Sequence, residues 1–200
     1  MTSTQTSPQH ARATANPGRD LALIAVFAAF ITVCALLPAF PVGPAAVPIT
    51  LQTLGIYIAA LTLGGPRAAL AVALYVLAGL LGLPVFSGGR SGLGTIAAPS
   101  FGYLVGFIPG ALAAGTIAYT ALRRRLNGAS LFGAFVLAVL AGFVLIQIFG
   151  IIGMIINAHL DLGTAVGAAL IYIPGDLIKS LVAVLVALAV HRAFPTLARR

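Results

Sequence analysis

Long apolar segments with short polar or glycine- and proline-rich connections make up the chain from residue 21 onward. Since about 20 consecutive apolar residues cross a bilayer as one helix, this pattern predicts six membrane-spanning helices. They are placed at residues 21–37, 48–63, 68–83, 101–122, 131–156 and 174–194. The sequence LGGPR at residues 63–67 indicates a tight turn between the second and third helices. A further apolar stretch, residues 162–173, is too short to cross and is predicted to be re-entrant or interfacial.

The first 19 residues differ from the rest of the chain. They are rich in Thr, Ser, Gln, Ala and Pro without apolar periodicity, so residues 1–19 are predicted to be a disordered tail and residues 20–200 a membrane domain. Arg12 and Arg19 precede the first apolar run, as they would in a signal peptide. That run exceeds the usual signal core of about 7–15 residues and is therefore interpreted as the first span.

The composition supports a membrane protein. Hydrophobic residues make up 60% of the chain and charged residues 7%, and the mean hydropathy is +1.12, whereas an average soluble domain has about 25% charged residues. The fold class predicted is thus an all-α integral membrane protein. The net charge of +8 does not indicate nucleic-acid binding, because the basic residues are dispersed among apolar segments. Cys34 is the only cysteine and can form no internal disulfide.

The arginines predict the orientation in the membrane. With six crossings, nine of the ten arginines fall on one side, at positions 12, 19, 67, 123, 124, 125, 192, 199 and 200. Because cationic residues accumulate in cytoplasmic loops, both the N and C termini are predicted to be cytoplasmic. The outer connections are then residues 38–47, 84–100 and 157–173. The triplet at 123–125 is also suited to contact with anionic membrane lipid, although the topology rule alone explains it.

Asp176 and Lys179 are the most informative charged residues. Lys179 is the only lysine, and both residues lie in the last apolar segment, where a charge costs about 2.5–3.5 kcal/mol on insertion scales. Pro174 is typical of a helix's first turn, which would place Asp176 near the positive end of the helix dipole, with Lys179 on the same face. The pair therefore indicates a functional site. The alternative is that Asp176 only caps the helix while Lys179 reaches the membrane surface.

Residues 83–94 form an outer loop with four glycines around Arg90, the only outer-face arginine. Gly88 and Gly89 expose backbone N–H groups and allow a ligand to approach closely. The guanidinium of Arg90 can bind a carboxylate through two hydrogen bonds. The alternative is a flexible turn whose arginine contacts lipid phosphates or water.

The first outer loop, residues 38–48, contains four prolines and is predicted to be stiff and nonhelical. It leads into Thr50, Gln52 and Thr53, which bring hydrogen-bonding groups to the start of the second span and are candidates for lining a cavity. Alternatively, the prolines only terminate two helices, and the threonines bond to carbonyls of their own helix.

Ala25 and Ala29 are spaced four residues apart in the first span. Small residues at this spacing let two helices approach closely, so they are a candidate partner interface. Because alanine is abundant in this chain, an internal packing face or chance explains the spacing equally well.

Several motifs together resemble one known family. They are VPITLQT at residues 47–53, GLPVF at 82–86 with its GGRSG continuation at 88–92, GYL at 102–104 and PGDLIK at 174–179. In this order they are similar to the signatures of BioY, the biotin-specific substrate-binding (S) component of energy-coupling factor (ECF) transporters. The resemblance covers residues 21 to about 190. The sequence departs from the family pattern at Phe101, which is expected to reshape one pocket wall, and at Leu104, where relatives can carry a basic residue.

The resemblance implies a six-helix component of the bacterial cytoplasmic membrane that captures biotin from outside and has no cofactor. The family works with a transmembrane coupling protein, on which the small-residue face of the first helix docks, and with two ATP-hydrolysing subunits. This chain has no G-x-x-x-x-G-K-[ST] sequence for ATP hydrolysis. Whether it works alone, as a homo-oligomer or only with that module is left open.

Biotin suits the candidate residues chemically. Asp176 can accept hydrogen bonds from its ureido N–H groups, and Lys179 can donate to its carbonyl. Phe86 and Tyr103 would supply apolar contact, and the glycine-rich loop with Arg90 would receive the carboxylate tail. An S component or a stand-alone carrier for another small vitamin remains an alternative.

An intramembrane enzyme is the alternative from a different class. Aspartyl chemistry needs two carboxylates in one site, and the only other outer carboxylate is Asp161 in a loop. The histidines, His10, His159 and His191, lie in tails, loops or helix ends, so neither a metal cluster nor a serine–histidine arrangement is indicated. The chain is therefore not expected to be an enzyme.

Overall fold

The computed structural model describes residues 17–44 and 46–194 and shows six helices. They are α1 (Pro17–Leu36), α2 (Gln52–Leu63), α3 (Gly65–Leu80), α4 (Phe101–Arg123), α5 (Gly128–Ala158) and α6 (Leu162–Ala193). Strands β1 (Phe40–Val42) and β2 (Val47–Ile49) form an antiparallel hairpin between α1 and α2. Two short 3-10 turns, Ser87–Gly89 and Leu93–Ala97, lie between α3 and α4.

The helices confirm the prediction of an all-helical membrane protein. Four of them, α1, α4, α5 and α6, are long and apolar enough to cross a bilayer. Helices α2 and α3 have 12 and 16 residues and span only about 18 Å and 24 Å, less than the hydrocarbon thickness of about 30 Å. The described part of the chain therefore contains six helices, while six full crossings and the orientation of the termini remain predictions.

Helix α6 corrects the interpretation of residues 162–173. These residues are not a separate re-entrant or interfacial segment, because α6 runs without a break from Leu162 to Ala193 and contains Pro174 in its interior. Proline inside a helix removes one backbone hydrogen bond, which neighbouring helices can compensate within a membrane. The prediction that Asp176 lies near the positive end of the helix dipole is therefore wrong, since Asp176 is about 21 Å along α6 from its first residue.

The first outer loop forms a hairpin that the sequence analysis did not predict. Its register pairs Pro41 with Pro48, and an isolated two-stranded hairpin tolerates both prolines because each strand is an edge. Consequently α2 begins at Gln52 and not at Pro48. The Tyr172 hydroxyl on α6 donates a 3.0 Å hydrogen bond to the carbonyl of Val47, so α6 holds the hairpin over the helices.

The N-terminal boundary also shifts. Helix α1 begins at Pro17, so the last three residues of the predicted tail are helical, while residues 1–16 lie outside the described residues. Arg67, just after the Gly64 turn, donates a 2.9 Å hydrogen bond to Asp20. This ion pair places the start of α1 and the α2–α3 turn at the same end of the bundle. His10, Arg12, Arg199 and Arg200 lie outside the described residues.

Small residues allow α4 and α5, the helix pair with the most extensive contact, to pack at backbone distance. Every fourth residue of α4 from 102 to 118 is small: Gly102, Gly106, Gly110, Ala114 and Ala118, all of them buried. A Cβ atom at Gly102 would lie 2.7 Å from Cα of Gly153 on α5, and one at Gly142 would lie 2.8 Å from the carbonyl oxygen of Gly110. Such repeats of small residues are a common basis of helix packing in membranes.

Ala25 and Ala29 face away from the protein. Both are exposed on α1, whereas Ala28, Ile31 and Ala35 are buried against the rest of the bundle. The alternative that Ala25 and Ala29 form an internal packing face is therefore wrong, and their role as a partner interface stays a prediction.

Candidate functional site

A cavity lies beneath the hairpin and the loop between α3 and α4, with about 60 Å³ open to the centre of a water-sized sphere. Seven of the nine predicted ligand-binding residues line it: Thr50, Gln52, Phe86, Arg90, Tyr103, Asp176 and Lys179. The remaining lining residues are Val47, Pro48, Ile49, Thr53, Ser87, Thr95, Ser100, Leu104, Phe107, Ile146, Gln147 and Tyr172.

The charged pair on α6 points into this cavity. Lys179 Nζ and Asp176 Oδ1 are 2.6 Å apart, and their side chains are 12% and 8% exposed. Lys179 also donates a 2.9 Å hydrogen bond to the carbonyl of Thr50, and Thr53 donates one of 3.1 Å to Asp176 Oδ1. Lys179 therefore does not reach the membrane surface, and the alternative of a capping aspartate beside a snorkelling lysine is wrong.

This arrangement leaves hydrogen-bonding capacity for a ligand. An ammonium group has three donors, and Lys179 uses two of them within the described part of the chain. The two contacts of Asp176 given above both use Oδ1, so Oδ2 can accept from a molecule in the cavity. The site thus offers one donor and one acceptor side by side, and the pair carries no net charge.

A second polar chain supports the pair from α2. Thr50 donates a 2.8 Å hydrogen bond to Oε1 of Gln52, and Nε2 of Gln52 donates one of 2.6 Å to the hydroxyl of Tyr75 on α3. Neither Thr50 nor Thr53 bonds to a carbonyl of its own helix through these contacts. The alternative of local back-bonding is therefore wrong, and these residues connect α2, α3 and α6 around the cavity.

Two aromatic residues form apolar walls, each against a glycine. Phe86 is buried and packs edge to face against Tyr75, with ring centroids 5.6 Å apart, and its ring occupies the place of a side chain at Gly79. Tyr103 packs edge to face against Tyr172 at 6.2 Å and lies over Gly150 in the same way. Both rings are thus held in position by close backbone approach.

Arg90 lies at the mouth of the cavity and is exposed. Its Nε donates to the carbonyl of Ser87 at 3.2 Å, and its Nη2 donates to the hydroxyl of Ser100 at 3.3 Å. These bonds hold the guanidinium near the opening while it keeps further N–H donors. Arg90 is thus a cationic group at the mouth of the cavity, whereas the Asp176–Lys179 pair inside it has no net charge.

Gly88 and Gly89 are in the same loop but are not part of the cavity wall. Their φ angles are +71° and +72°, and a Cβ atom at either position would meet nothing within 4 Å. The positive φ angles explain why glycine is needed here. The structure therefore places these two predicted residues in the turn that presents Arg90, outside the cavity.

Sequence reasoning missed several lining residues, of which Gln147 on α5 is the most informative. Gln147 is buried and lines the cavity from the centre of α5. It is the only polar side chain in the predicted span at residues 131–156. Because polar residues inside membrane spans are rare and usually functional, this isolation was a signal that could have identified it.

The two departures from the family pattern behave differently. Phe101 does not line the cavity and packs against the core instead, so the expected reshaping of the wall by Phe101 is wrong. Its neighbour Ser100 lines the cavity and bonds to Arg90. Leu104 is buried in the wall and adds apolar surface.

Asp161 has a structural role far from Asp176. It caps α6 by accepting hydrogen bonds from the Thr164 hydroxyl at 2.6 Å and from the Thr164 N–H at 3.0 Å. These bonds, the hydroxyl first, lower the pKa of the Asp161 carboxyl from its ordinary value. Asp161 and Asp176 are separated along one helix by about 22 Å, so they cannot share a reacting centre.

Comparisons with known proteins agree with one another. The family model of the BioY family matches residues 5–196. The chain is 40% identical to the "Biotin transporter BioY" of Rhizobium etli, over 91% of this chain and 98% of that protein. It is 38% identical to the protein of the same name in Rhodobacter capsulatus, over 90% and 98% respectively.

The fold also matches a solved structure, described as the S-component for biotin from an ECF-type ABC transporter. The two superpose with a TM-score of 0.80 at 28% sequence identity, covering 90% of this chain and 95% of the other.

Proposed function

Because this chain belongs to the BioY family, we propose that its cavity captures biotin for uptake across the membrane. It is a membrane transport component that binds biotin and not an enzyme. The observation that carries the site assignment is the buried Asp176–Lys179 pair, which points into the cavity from the middle of α6.

The polar groups of the cavity suit the two ends of biotin. Asp176 accepts a ureido N–H, and Lys179 donates its remaining hydrogen to the ureido carbonyl. The fused rings of biotin lie between Phe86 and Tyr103 and contact both side chains. Arg90 at the mouth then binds the valerate carboxylate, so the ligand lies with its head group inside and its acid tail toward the opening.

Thr50 and Gln52 influence ligand binding indirectly, because they hold the Asp176–Lys179 pair in position. The Thr50 carbonyl fixes Lys179, and Gln52 joins Thr50 to Tyr75. Both residues therefore keep the Lys179 ammonium group in one position, so that less side-chain entropy is lost when biotin binds.

Equilibrium binding of labelled biotin to the purified protein in detergent is the direct test. We expect tight binding that unlabelled biotin displaces and that other vitamins, such as thiamine and riboflavin, do not. Biotin methyl ester should compete about 10- to 150-fold more weakly, because it lacks the charge-assisted bond to Arg90. A folded sample that retains another vitamin and not biotin would refute this function.

The site also implies a placement in the bilayer. We infer six crossings in a bacterial cytoplasmic membrane, with both termini on the cytoplasmic side. The arginine distribution supports this orientation, as does the Asp20–Arg67 ion pair at the same end of the bundle as the α2–α3 turn. The short helices α2 and α3 would complete their crossings with the hairpin and the loop after α3 that cover the cavity.

Uptake then depends on partners. We infer that the chain assembles with an ECF module, consisting of a transmembrane coupling protein and two ATP-hydrolysing subunits. The exposed small residues Ala25 and Ala29 on α1 are the proposed docking face, because small side chains let a partner helix approach closely.

Changing both alanines to leucine tests this docking face. Overpacking of a close helix contact costs about 1–3 kcal/mol, so we expect Ala25→Leu/Ala29→Leu to weaken assembly with a co-expressed module by about 5- to 150-fold. Module-dependent biotin uptake should fall accordingly, while biotin binding by the isolated protein stays unchanged. Ala189→Leu, at an exposed alanine of α6, is the matched control. Normal assembly of the double variant would exclude this face.

A further inference from the structure

Two polar atoms of cavity-lining residues are buried without a hydrogen-bond partner among the described residues, the Tyr103 hydroxyl and the side-chain oxygen of Gln147. Gln147 has no role in the proposed biotin site so far. Gln147 lies at the centre of α5 and is 8% exposed. Its Nε2 donates a 3.3 Å hydrogen bond to the carbonyl of Ala169 on α6. Its Oε1 is buried and has no hydrogen-bond partner among the described residues.

The orientation of this amide follows from its neighbour. A backbone carbonyl only accepts hydrogen bonds, so the nitrogen of Gln147 must face Ala169 and the oxygen must face elsewhere. A buried acceptor without a partner is costly, and each such group in a native structure requires an explanation, such as a bound water, an ion or a ligand. Because Gln147 also lines the cavity, a molecule in the cavity can supply the missing donor.

The chemistry of the neighbouring groups indicates which donor is missing. Asp176 on α6 and Gln147 on α5 are acceptors on two different helices around one cavity, and Lys179 is a donor beside Asp176. A cyclic urea carries two N–H donors, one on each side of a carbonyl acceptor. Asp176 satisfies one N–H and Lys179 satisfies the carbonyl, which leaves the second N–H without a partner.

We propose that Oε1 of Gln147 accepts a hydrogen bond from the second ureido N–H. Asp176, Lys179 and Gln147 together then hydrogen-bond all three polar groups of the ureido ring. This inference rests on the proposed function and adds a residue that determines specificity. Gln147 distinguishes ligands with two N–H groups from those in which one has been replaced, since the replacement leaves its buried oxygen unpaired.

Gln147→Met is the test variant, because it keeps the length of the side chain and removes its hydrogen-bonding groups. We expect biotin affinity to fall about 10- to 100-fold. Desthiobiotin keeps both ureido N–H groups, so its affinity for the variant should fall by the same factor. Ile148→Met, at the adjacent lipid-exposed position of α5, is the control for a methionine in this helix and should bind biotin normally.

Ligand analogues separate ligand contact from a purely structural bond between α5 and α6. Two cyclic carbamates, each with oxygen in place of one ureido N–H, are measured against wild type and Gln147→Met. The isomer that lacks the N–H read by Gln147 should bind both proteins equally, whereas the other isomer should lose affinity as biotin does. An equal loss for all ligands would assign Gln147 a structural role and overturn the inference, as would unchanged biotin binding.

A measurement on the wild-type protein covers the case in which the variant does not fold. Biotin labelled with ¹⁵N at both ureido positions should show two N–H groups protected from hydrogen exchange when bound. Protection of only one would overturn the assignment. If wild type does not bind biotin at all, the proposed function itself has failed; if wild type binds and only these tests fail, the error is confined to Gln147.

Discussion

Replacing Lys179 with methionine should lower the stability of the protein and weaken biotin binding by about 10- to 150-fold. The ammonium group neutralises Asp176 at 2.6 Å inside the protein and also binds the carbonyl of Thr50. Removing one partner of a buried ion pair leaves an uncompensated charge and typically costs about 3–5 kcal/mol of folding stability. The affinity falls because a charge-assisted hydrogen bond to the ligand, worth about 1.5–3 kcal/mol, is lost. Equilibrium binding of labelled biotin in detergent measures the change.

The double variant Lys179→Met/Asp176→Asn separates binding from stability. It removes both charges, so its thermal stability should recover relative to Lys179→Met, because no unpaired charge remains. Biotin binding should stay weak, since the charge-assisted bonds to the ligand are absent. Wild-type affinity in Lys179→Met would show that biotin binds elsewhere.

Gly102→Ala should lower stability, although alanine normally favours a helix over glycine by about 0.5–1 kcal/mol. The added methyl group would lie 2.7 Å from Cα and 2.9 Å from the backbone nitrogen of Gly153. Backbone atoms in a helix cannot move aside as a side chain can, so α4 and α5 must separate, at a cost of about 1–3 kcal/mol for overpacking. Thermal unfolding in detergent should therefore show a clear decrease in Tm.

Gly133→Ala on α5 is the matched control. Gly133 is exposed, and a Cβ atom there would meet nothing within 4 Å, so the helix preference of alanine should keep or raise the Tm. Gly102→Ala should also reduce biotin binding, because the adjacent Tyr103 forms a cavity wall. Equal stability of the two variants would contradict the close approach of α4 and α5.

Parts of the fold were predictable because they depend on local composition. The predicted span at residues 101–122 agrees closely with α4 (Phe101–Arg123), and the turn after α2 is at Gly64 as the LGGPR sequence indicated. The family resemblance, which rested on four short motifs, is confirmed by the match over residues 5–196. These features need only hydrophobicity, turn chemistry and motif order.

Other parts were not predictable from local rules. Pro174 and the charge at Asp176 suggested a helix start, but α6 continues through both, because tertiary neighbours compensate a proline and a charge that a lone helix would not tolerate. The hairpin between α1 and α2 likewise depends on a partner, since Tyr172 on α6 holds Val47.

The sequence by itself determined that the protein is a helical membrane protein and that Asp176 and Lys179 are its unusual charges, because hydrophobicity and the rarity of buried charge act residue by residue. Only the tertiary structure decided which groups meet. It joined Lys179 to Thr50, 129 residues away along the chain, and placed Gln147 of α5 in the same cavity. It also showed that Gly88 and Gly89 lie outside the cavity wall. Such contacts depend on how six helices pack together, and α4 and α5 pack as closely as they do because glycines at their interface leave no side chain between the backbones.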